Sequence, residues 1–483
     1  MASVKSESRT LHTAGGALRP QEHKERSEIL LEGFQIAISC DPPPHPDEFP
    51  EGGLVAWTTA LGSFLVQFCG FGYVTSFGVY QGIATHKSEH LTLNIYFPPD
   101  FYSQHYLTNE TTSAISWIGS LNVFLMTAVG LVSGSLYDRG YFYHLVIAGS
   151  LLQSFSLFML SLSKPDQYYQ IFLSQGLSLG IALGLIYIPS IAVISHHFRR
   201  RRTLVMTFSA SGSSLGAIIH PIMLNNLLNG PVGFANGVRI SAGLVSALLL
   251  IACLCMRTRL DPPTIPVNYI AATRKCVRDV PFIFMTVGSF LFQIGFFYPI
   301  FFFQLDSIKH GLGTTFSFYS LVILNASNFV ARITSGFIAA FTGVPNLTIV
   351  ATISCGVVIL GLTGLSSLAS VIVLGVLYGY FFGLYIAMVA PLTTTLTPDL
   401  SELGARMGIA LSIGGIGSLI GTPISGALLT SNYTWWRPSL FSGIVSLAGG
   451  MMYIIMRFAF VRKQIQDKHI TQLDIRVDNQ PVD

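Results

Sequence analysis

Apolar residues in this chain form long blocks that are separated by short polar breaks. Twelve of these blocks approach the roughly 20 residues that an α-helix needs to cross a bilayer. The pattern predicts an all-α membrane protein with twelve transmembrane helices. We place the spans at 55–81, 113–136, 142–163, 168–195, 203–229, 238–256, 281–304, 314–341, 346–366, 368–396, 404–430 and 438–461.

A longer polar link at 257–280 separates the first six spans from the last six. Many secondary transporters consist of two such halves, with the substrate site between them. We therefore predict a six-helix half at 51–256, a cytoplasmic central loop at 257–280 and a second half at 281–461. The polar, proline-ending segment 1–50 is predicted to be a disordered cytoplasmic tail, and 462–483 a second cytoplasmic tail.

The composition supports a membrane protein. Hydrophobic residues make up 51% of the chain and charged residues 10%, whereas soluble domains contain about 25% charged residues. The basic residues, including the run Arg199 to Arg202, concentrate in loops on one side. The positive-inside rule places that side and both termini in the cytoplasm. This distribution also favours a membrane face over nucleic acid, and the plasma membrane is the expected location.

Two glycosylation sequons fall on the opposite side of the predicted membrane. Asn109 begins Asn-Glu-Thr in the long loop between spans 1 and 2, and Asn432 begins Asn-Tyr-Thr before span 12. Both would face outward, so we expect them to be candidate glycan acceptors. Sequons also occur by chance, and those close to a membrane are often skipped.

Arg332 in span 8 is a charged residue well inside a predicted span. Charges in the bilayer are costly and usually face a cavity that serves function. Asn325, Asn328 and Arg332 are spaced i, i+3, i+7 and therefore share one helix face. A guanidinium offers paired donors that suit a carboxylate. The alternative is a structural arginine that reaches for the membrane interface.

Two further features involve titratable groups. His220 lies within span 5, where it could transfer a proton or simply bond between helices. The turn after span 2 reads Gly134-Ser-Leu-Tyr-Asp138-Arg139-Gly140. An acid and a guanidinium at such a turn can hold neighbouring helix ends together in one conformation, so Asp138 and Arg139 are predicted as a conformational latch. Its alternative is an ordinary charged turn.

Several short motifs together resemble a known family. They are Pro50-Glu51-Gly52-Gly53, Ser116-Trp117-Ile118-Gly119-Ser120, Ser211-Gly212-Ser213-Ser214-Leu215-Gly216 and Gly404-Ala-Arg406-Met-Gly408, with the turn at Gly134. Over about residues 50–460 the chain resembles the monocarboxylate porters of the major facilitator superfamily, in their fungal form. The resemblance implies the major facilitator fold.

The resemblance also implies roles for individual residues. Arg332 matches the arginine of helix 8 that binds substrate carboxylate in animal lactate transporters. An aspartate precedes that arginine by four residues in the family, and Asn328 stands there in this chain. The family's lysine in helix 1 falls on Thr75. Anion binding at Arg332, Asn328, Asn325 and Thr75 is thus expected, whereas lactate-type proton coupling is not visible. His220 is then the candidate proton carrier, and Asp306, near the outer end of span 7, is its best rival.

The resulting functional prediction is a secondary transporter that moves a small carboxylate-bearing metabolite by alternating access. An efflux carrier for a fungal secondary metabolite is the alternative, and a transport-like nutrient sensor is a third possibility. No phosphate-binding glycine loop is visible, so we expect neither ATP-driven pumping nor an enzyme activity. We predict no cofactor or metal, with an organic anion and membrane lipid as partners. The sequence leaves the oligomeric state open.

Overall fold

The structure is a computed structural model. It describes residues 52–75, 107, 112–228, 230–259, 269–309, 314–365, 367–429 and 434–478. The predicted tail at 1–50, the end of the first predicted span at 76–81, and both predicted glycan acceptors, Asn109 and Asn432, lie outside the described residues.

The described residues form twelve long helices, which we label in chain order. They are α1 Leu54–Cys69, α2 Thr112–Asp138, α3 Phe142–Ser161, α4 Tyr168–His196, α5 Arg202–Leu228, α6 Gly233–Cys255, α7 Val280–Phe296, α8 Thr314–Thr342, α9 Val344–Gly361, α10 Leu368–Leu396, α11 Leu403–Leu429 and α12 Trp436–Asp478. Within the described ranges, eleven helical segments are long and apolar enough to cross a membrane. The remaining long helix is α5, whose serines and His220 lower its mean hydropathy.

Two segments predicted as loop or tail contain helix. Tyr269–Arg278 forms a short linker helix within the central loop, and α12 continues through the predicted tail to Asp478. Neither segment contains a glycine or proline, so nothing in the sequence interrupts the backbone hydrogen bonding there. Lys275 and Arg278 in the last turn of the linker helix also interact favourably with its dipole.

The first helix of each half is broken at a corresponding place. α1 ends at Cys69, passes through Gly70 with φ −83° and ψ −99°, and resumes at Phe71–Val74. α7 ends at Phe296 and resumes at Tyr298–Lys309. The continuous spans predicted at 55–81 and 281–304 are corrected accordingly. A side chain of α3 satisfies one exposed carbonyl, because Gln153 Nε2 donates to the Cys69 oxygen at 2.7 Å.

The helix pairings of the first half recur in the second. α1 packs against α5 and α6 as α7 packs against α11 and α12, and α3 packs against α6 as α9 packs against α12. The buried apolar residues correspondingly form two clusters, one built mainly from 56–256 and the other from 276–456. Between the halves, α2 packs against α11 and α5 packs against α8. These two inter-half contacts contain three of the candidate functional residues, Asn328, Arg332 and Asp138.

Candidate functional site

Arg332 lies on the face of α8 that packs against α5. Its residue is 2% exposed, and about 15 Å of helix separates it from the end of α8 at Thr342. An arginine side chain cannot extend over that distance, so the alternative of an arginine that reaches the interface is not supported by the geometry. The guanidinium must find its partners inside the protein.

Those partners are neutral oxygen atoms from both halves. Arg332 Nε donates to Asn328 Oδ1 at 2.8 Å within α8. Arg332 Nη1 donates across the interface to the Ala210 carbonyl at 2.8 Å and to Ser213 Oγ. Arg332 therefore joins the two halves directly.

Asn328 is held in a fixed orientation beside Arg332. Its Oδ1 accepts from Arg332 and also from Ser214 Oγ of α5 at 2.9 Å. Asn328 is 1% exposed. Ser213 and Ser214, which hold Arg332 and Asn328, were not predicted as site residues from the sequence. The signal that could have identified them is the polar character of consecutive positions in an otherwise apolar span.

The site combines a buried cation with neutral acceptors. Among the described residues the ion pairs involve other cations, and no carboxylate pairs with Arg332. A buried guanidinium bonded only to neutral oxygens keeps its full charge, and an anion could neutralise it. The arrangement can therefore bind a carboxylate if α5 and α8 separate.

A small crevice between the halves adjoins this contact. Its lining includes Tyr187, Met206 and Ala210 from the first half and Ala390 and Met407 from the second. Most of the lining side chains are apolar, and the carbonyl of the lining residue Ala210 accepts from Arg332. The crevice is too small to hold a metabolite in this closed arrangement, so a ligand could bind here only if the halves separate.

The other predicted substrate residues are not bonded to Arg332. Asn325 Nδ2 donates to the Leu321 carbonyl of its own helix at 2.9 Å. Thr75 Oγ1 donates to the Gly72 carbonyl at 2.7 Å, at the end of the described part of the first span. Both side chains are partly buried. Their assignment to the substrate site stays a prediction.

His220 is fully buried on α5, two turns beyond Ser213. Its ring packs against the rings of Phe68, at a centroid distance of 4.7 Å, and Tyr73, at 5.3 Å. The Phe68 carbonyl faces the ring, yet neither ring nitrogen forms a hydrogen bond of normal geometry with a described residue. The structure therefore places His220 against the broken first helix and not beside Arg332, and its proton-carrying role stays a prediction.

The second inter-half contact joins α2 to α11 through glycine backbones. A Cβ atom on Gly134 would lie 2.1 Å from the Gly404 oxygen, and one on Gly408 would lie 2.8 Å from the Gly130 oxygen. Such close backbone approach is possible only for residues without a side chain. The two helices therefore form a tight seal at this end of the bundle.

Asp138 completes the seal. Its Oδ1 accepts from the backbone nitrogen of Gly404 at 2.8 Å, and its Oδ2 accepts from that of Ala405 at 2.7 Å. A carboxylate that accepts from the first turn of a helix also interacts favourably with the helix dipole. Arg139, the other predicted latch residue, is exposed. Asp138 thus contributes to the contact between the halves. The latch role of Asp138 and Arg139 stays a prediction.

A network of charges near this end was not predicted from the sequence. Asp279, just before α7, accepts from Arg406 Nη1 at 2.8 Å and from Lys463 Nζ at 2.9 Å. Lys275 of the linker helix pairs with Glu402 at 2.5 Å. This hydrogen bond to Glu402 raises the pKa of Lys275. The network ties the linker helix, α7, α11 and α12 together at the sealed end.

Comparison with known proteins assigns the fold to a family. The family model for the Major Facilitator Superfamily matches residues 90–370, more than half of the chain. The chain belongs to the Major Facilitator Superfamily. It is accordingly a multi-pass membrane protein that transports a small-molecule substrate, and the predicted major facilitator fold is confirmed.

Two similar members of the superfamily are fungal. The chain is 34% identical to the aspyridones efflux protein apdF of Emericella nidulans, covering 85% of this chain and 79% of that one. It is 35% identical to the agnestins efflux protein AgnL12 of Paecilomyces divaricatus, covering 90% and 95%. Among solved structures, the Escherichia coli fucose:proton symporter FucP has a TM-score of 0.64 at 14% identity, covering 83% of this chain and 98% of FucP. That likeness shows the fold alone.

Proposed function

We propose that this protein exports a small organic metabolite across the plasma membrane by alternating access. The observation that supports export is the similarity, over most of both chains, to two proteins named as efflux proteins for fungal metabolites. The efflux alternative of the sequence analysis is therefore preferred over uptake.

The interface between the halves supports an anionic substrate. Arg332 is a buried cation at the contact between α5 and α8, and its partners among the described residues are neutral. In an alternating-access transporter the substrate binds between the halves, which rock around it. A carboxylate on the substrate would meet Arg332 when the contact opens. A monocarboxylate-porter activity remains a prediction, and the buried Arg332 favours it.

The sealed end is proposed to face the cytoplasm. Basic residues concentrate at the ends of the helices that meet there, including Arg139, Arg406 and Lys463. The positive-inside rule then places both termini in the cytoplasm as well. In this orientation the structure represents a state that is closed toward the cytoplasm.

A disruption and complementation experiment tests the proposal. Disrupting the gene in its fungal host should raise the intracellular amount of at least one organic acid and lower its amount in the medium. Reintroducing the parent protein should restore export, and Arg332→Lys should not, because one ammonium cannot reproduce the guanidinium contacts. We expect the export rate to fall at least tenfold. This factor corresponds to the energy of about one charge-assisted hydrogen bond.

The matched control is Arg457→Lys, because Arg457 Nε donates to Asn346 Oδ1 at the exposed side of α12. This variant should export like the parent. A disrupted strain whose medium and cell contents match the parent strain would contradict export. Normal export by correctly localised Arg332→Lys protein would remove Arg332 from the site.

A carboxylate importer is the second candidate function. Arg332 on α8 aligns with the arginine of the monocarboxylate porters and favours a carboxylate substrate. It does not specify whether the substrate is imported or exported. Loss of uptake on disruption, with unchanged export, would support this candidate over the first.

A further inference from the structure

The contacts of Arg332 across the interface suggest what replaces the substrate when the transporter closes. We propose that Ser213 Oγ and the Ala210 carbonyl occupy the position that a substrate anion takes on Arg332, so that α5 and the substrate compete for one guanidinium. This inference rests on the proposed function and adds a role for residues of α5 that contact no carboxylate among the described residues.

The geometry of α5 suits an internal acceptor. The Ser213 hydroxyl donates to the Ala210 carbonyl at 3.0 Å, which leaves lone pairs on Oγ to accept from Arg332. Arg332 Nη1 thus meets two oxygens at once, Ser213 Oγ and the Ala210 carbonyl. Nη1 has two N–H bonds and can donate to both oxygens, so an anion that binds Nη1 has to displace them.

The neutral character of these acceptors makes the contact replaceable. Asn328 supplies an amide oxygen to Arg332, and Ser214 fixes that oxygen in place at 2.9 Å. An amide leaves the charge of the guanidinium uncompensated, so an incoming anion still gains the full attraction. A carboxylate adds the attraction between two opposite charges, which a hydroxyl or a carbonyl lacks, so it can displace both from the guanidinium.

Competition couples the release of the anion to the sealing of the interface. When α5 and α8 have separated, Arg332 is available to an anion. As α5 approaches α8, Ser213 and the Ala210 carbonyl return to the guanidinium and the anion loses its partner. The bound state and the sealed state therefore exclude each other at this contact, and any anion that binds Arg332 must destabilise the seal by the same factor by which the seal weakens its binding.

The test measures the conformation of the purified full-length protein, without an export assay. Spin labels are placed near Arg201, just before α5, and at Phe341, near the end of α8, after the native cysteines are replaced by serine. Double electron–electron resonance then reports the populations of the sealed and open states. Benzoate serves as the anion probe and benzamide as its neutral counterpart.

Ser213→Ala should raise the ratio of open to sealed protein about tenfold, the equivalent of one lost hydrogen bond to a charged group. Benzoate should open the parent protein, whereas benzamide should not. In Ser213→Ala the benzoate concentration for half-maximal opening should fall by about the same factor, because the internal competitor is weakened. Ser213→Thr keeps the hydroxyl and should behave like the parent.

Ser211→Ala is the matched control. Ser211 is equally buried, but its hydroxyl donates to the Phe208 carbonyl of its own helix at 2.6 Å. Equal populations in Ser213→Ala and Ser211→Ala would overturn the proposal, as would benzoate that leaves the parent unchanged. If Ser213→Ala does not fold, a benzoate response that persists in Arg332→Gln overturns it instead. If the disruption experiment shows no export but benzoate still opens the protein as described, the proposed function alone is contradicted.

Discussion

The glycine contact between α2 and α11 predicts that one added methyl group prevents sealing. In Gly404→Ala the new Cβ would lie 2.3 Å from the Gly134 oxygen and 2.6 Å from Asp138 Oδ1. Both atoms would have to retreat to about 3.0 Å, the closest approach that Cβ atoms make in proteins. The Gly134 oxygen belongs to a helix backbone, so α2 and α11 must move apart as whole helices.

The magnitude follows from the bonds that this movement breaks. Asp138 accepts from the nitrogens of Gly404 and Ala405 at 2.8 and 2.7 Å. A retreat of about 0.7 Å stretches both bonds to the limit of hydrogen bonding. Hydrogen bonds to charged groups contribute about 1.5–3 kcal/mol each, so losing both should destabilise the sealed state by about 3 kcal/mol. That energy corresponds to a shift of about a hundredfold toward the open state.

Spin labels at the ends of α2 and α11 near Asp138 measure the shift by double electron–electron resonance. Gly404→Ala should show a longer distance and a slower export rate, because the transport cycle must pass through the sealed state. Gly426→Ala lies on the same helix and is the control, since its Cβ would meet only Phe302 at 3.7 Å, an ordinary contact. If the distance between the labels in Gly404→Ala equals that of the sealed parent protein and export is normal, the close-contact explanation is refuted.

Two further predictions concern residues outside these contacts. If transport is driven by a proton, His220→Gln should abolish the pH dependence of transport measured across a pH series, and an unchanged dependence would exclude His220 as the carrier. Asn109→Gln should remove a glycan, seen as faster gel migration in a eukaryotic host, because the loop is predicted to face outward. A parent protein that glycosidase does not shift would count against this orientation.

The pattern of apolar residues was sufficient to locate the helices and to single out one unusual residue among them. A bilayer requires about 20 apolar residues per span, so the blocks of apolar residues locate the helices within a few positions. The same requirement makes a charge within a span costly, and for that reason Arg332 could be recognised without a structure. The spacing also places Asn328 on the helix face of Arg332, where the structure shows a hydrogen bond between the two side chains.

The atoms that these residues contact could not be predicted before the helices were packed together. Lipid solvates apolar faces of every orientation, so hydrophobic periodicity does not indicate that α5 lies against α8 or α2 against α11. Ser213 and Gly404 therefore looked like ordinary small residues of membrane helices until their partners, Arg332 and Asp138, were adjacent in space. The break at Gly70 likewise depends on a donor from another helix, Gln153, because a freed carbonyl inside the membrane needs a partner that local sequence does not supply.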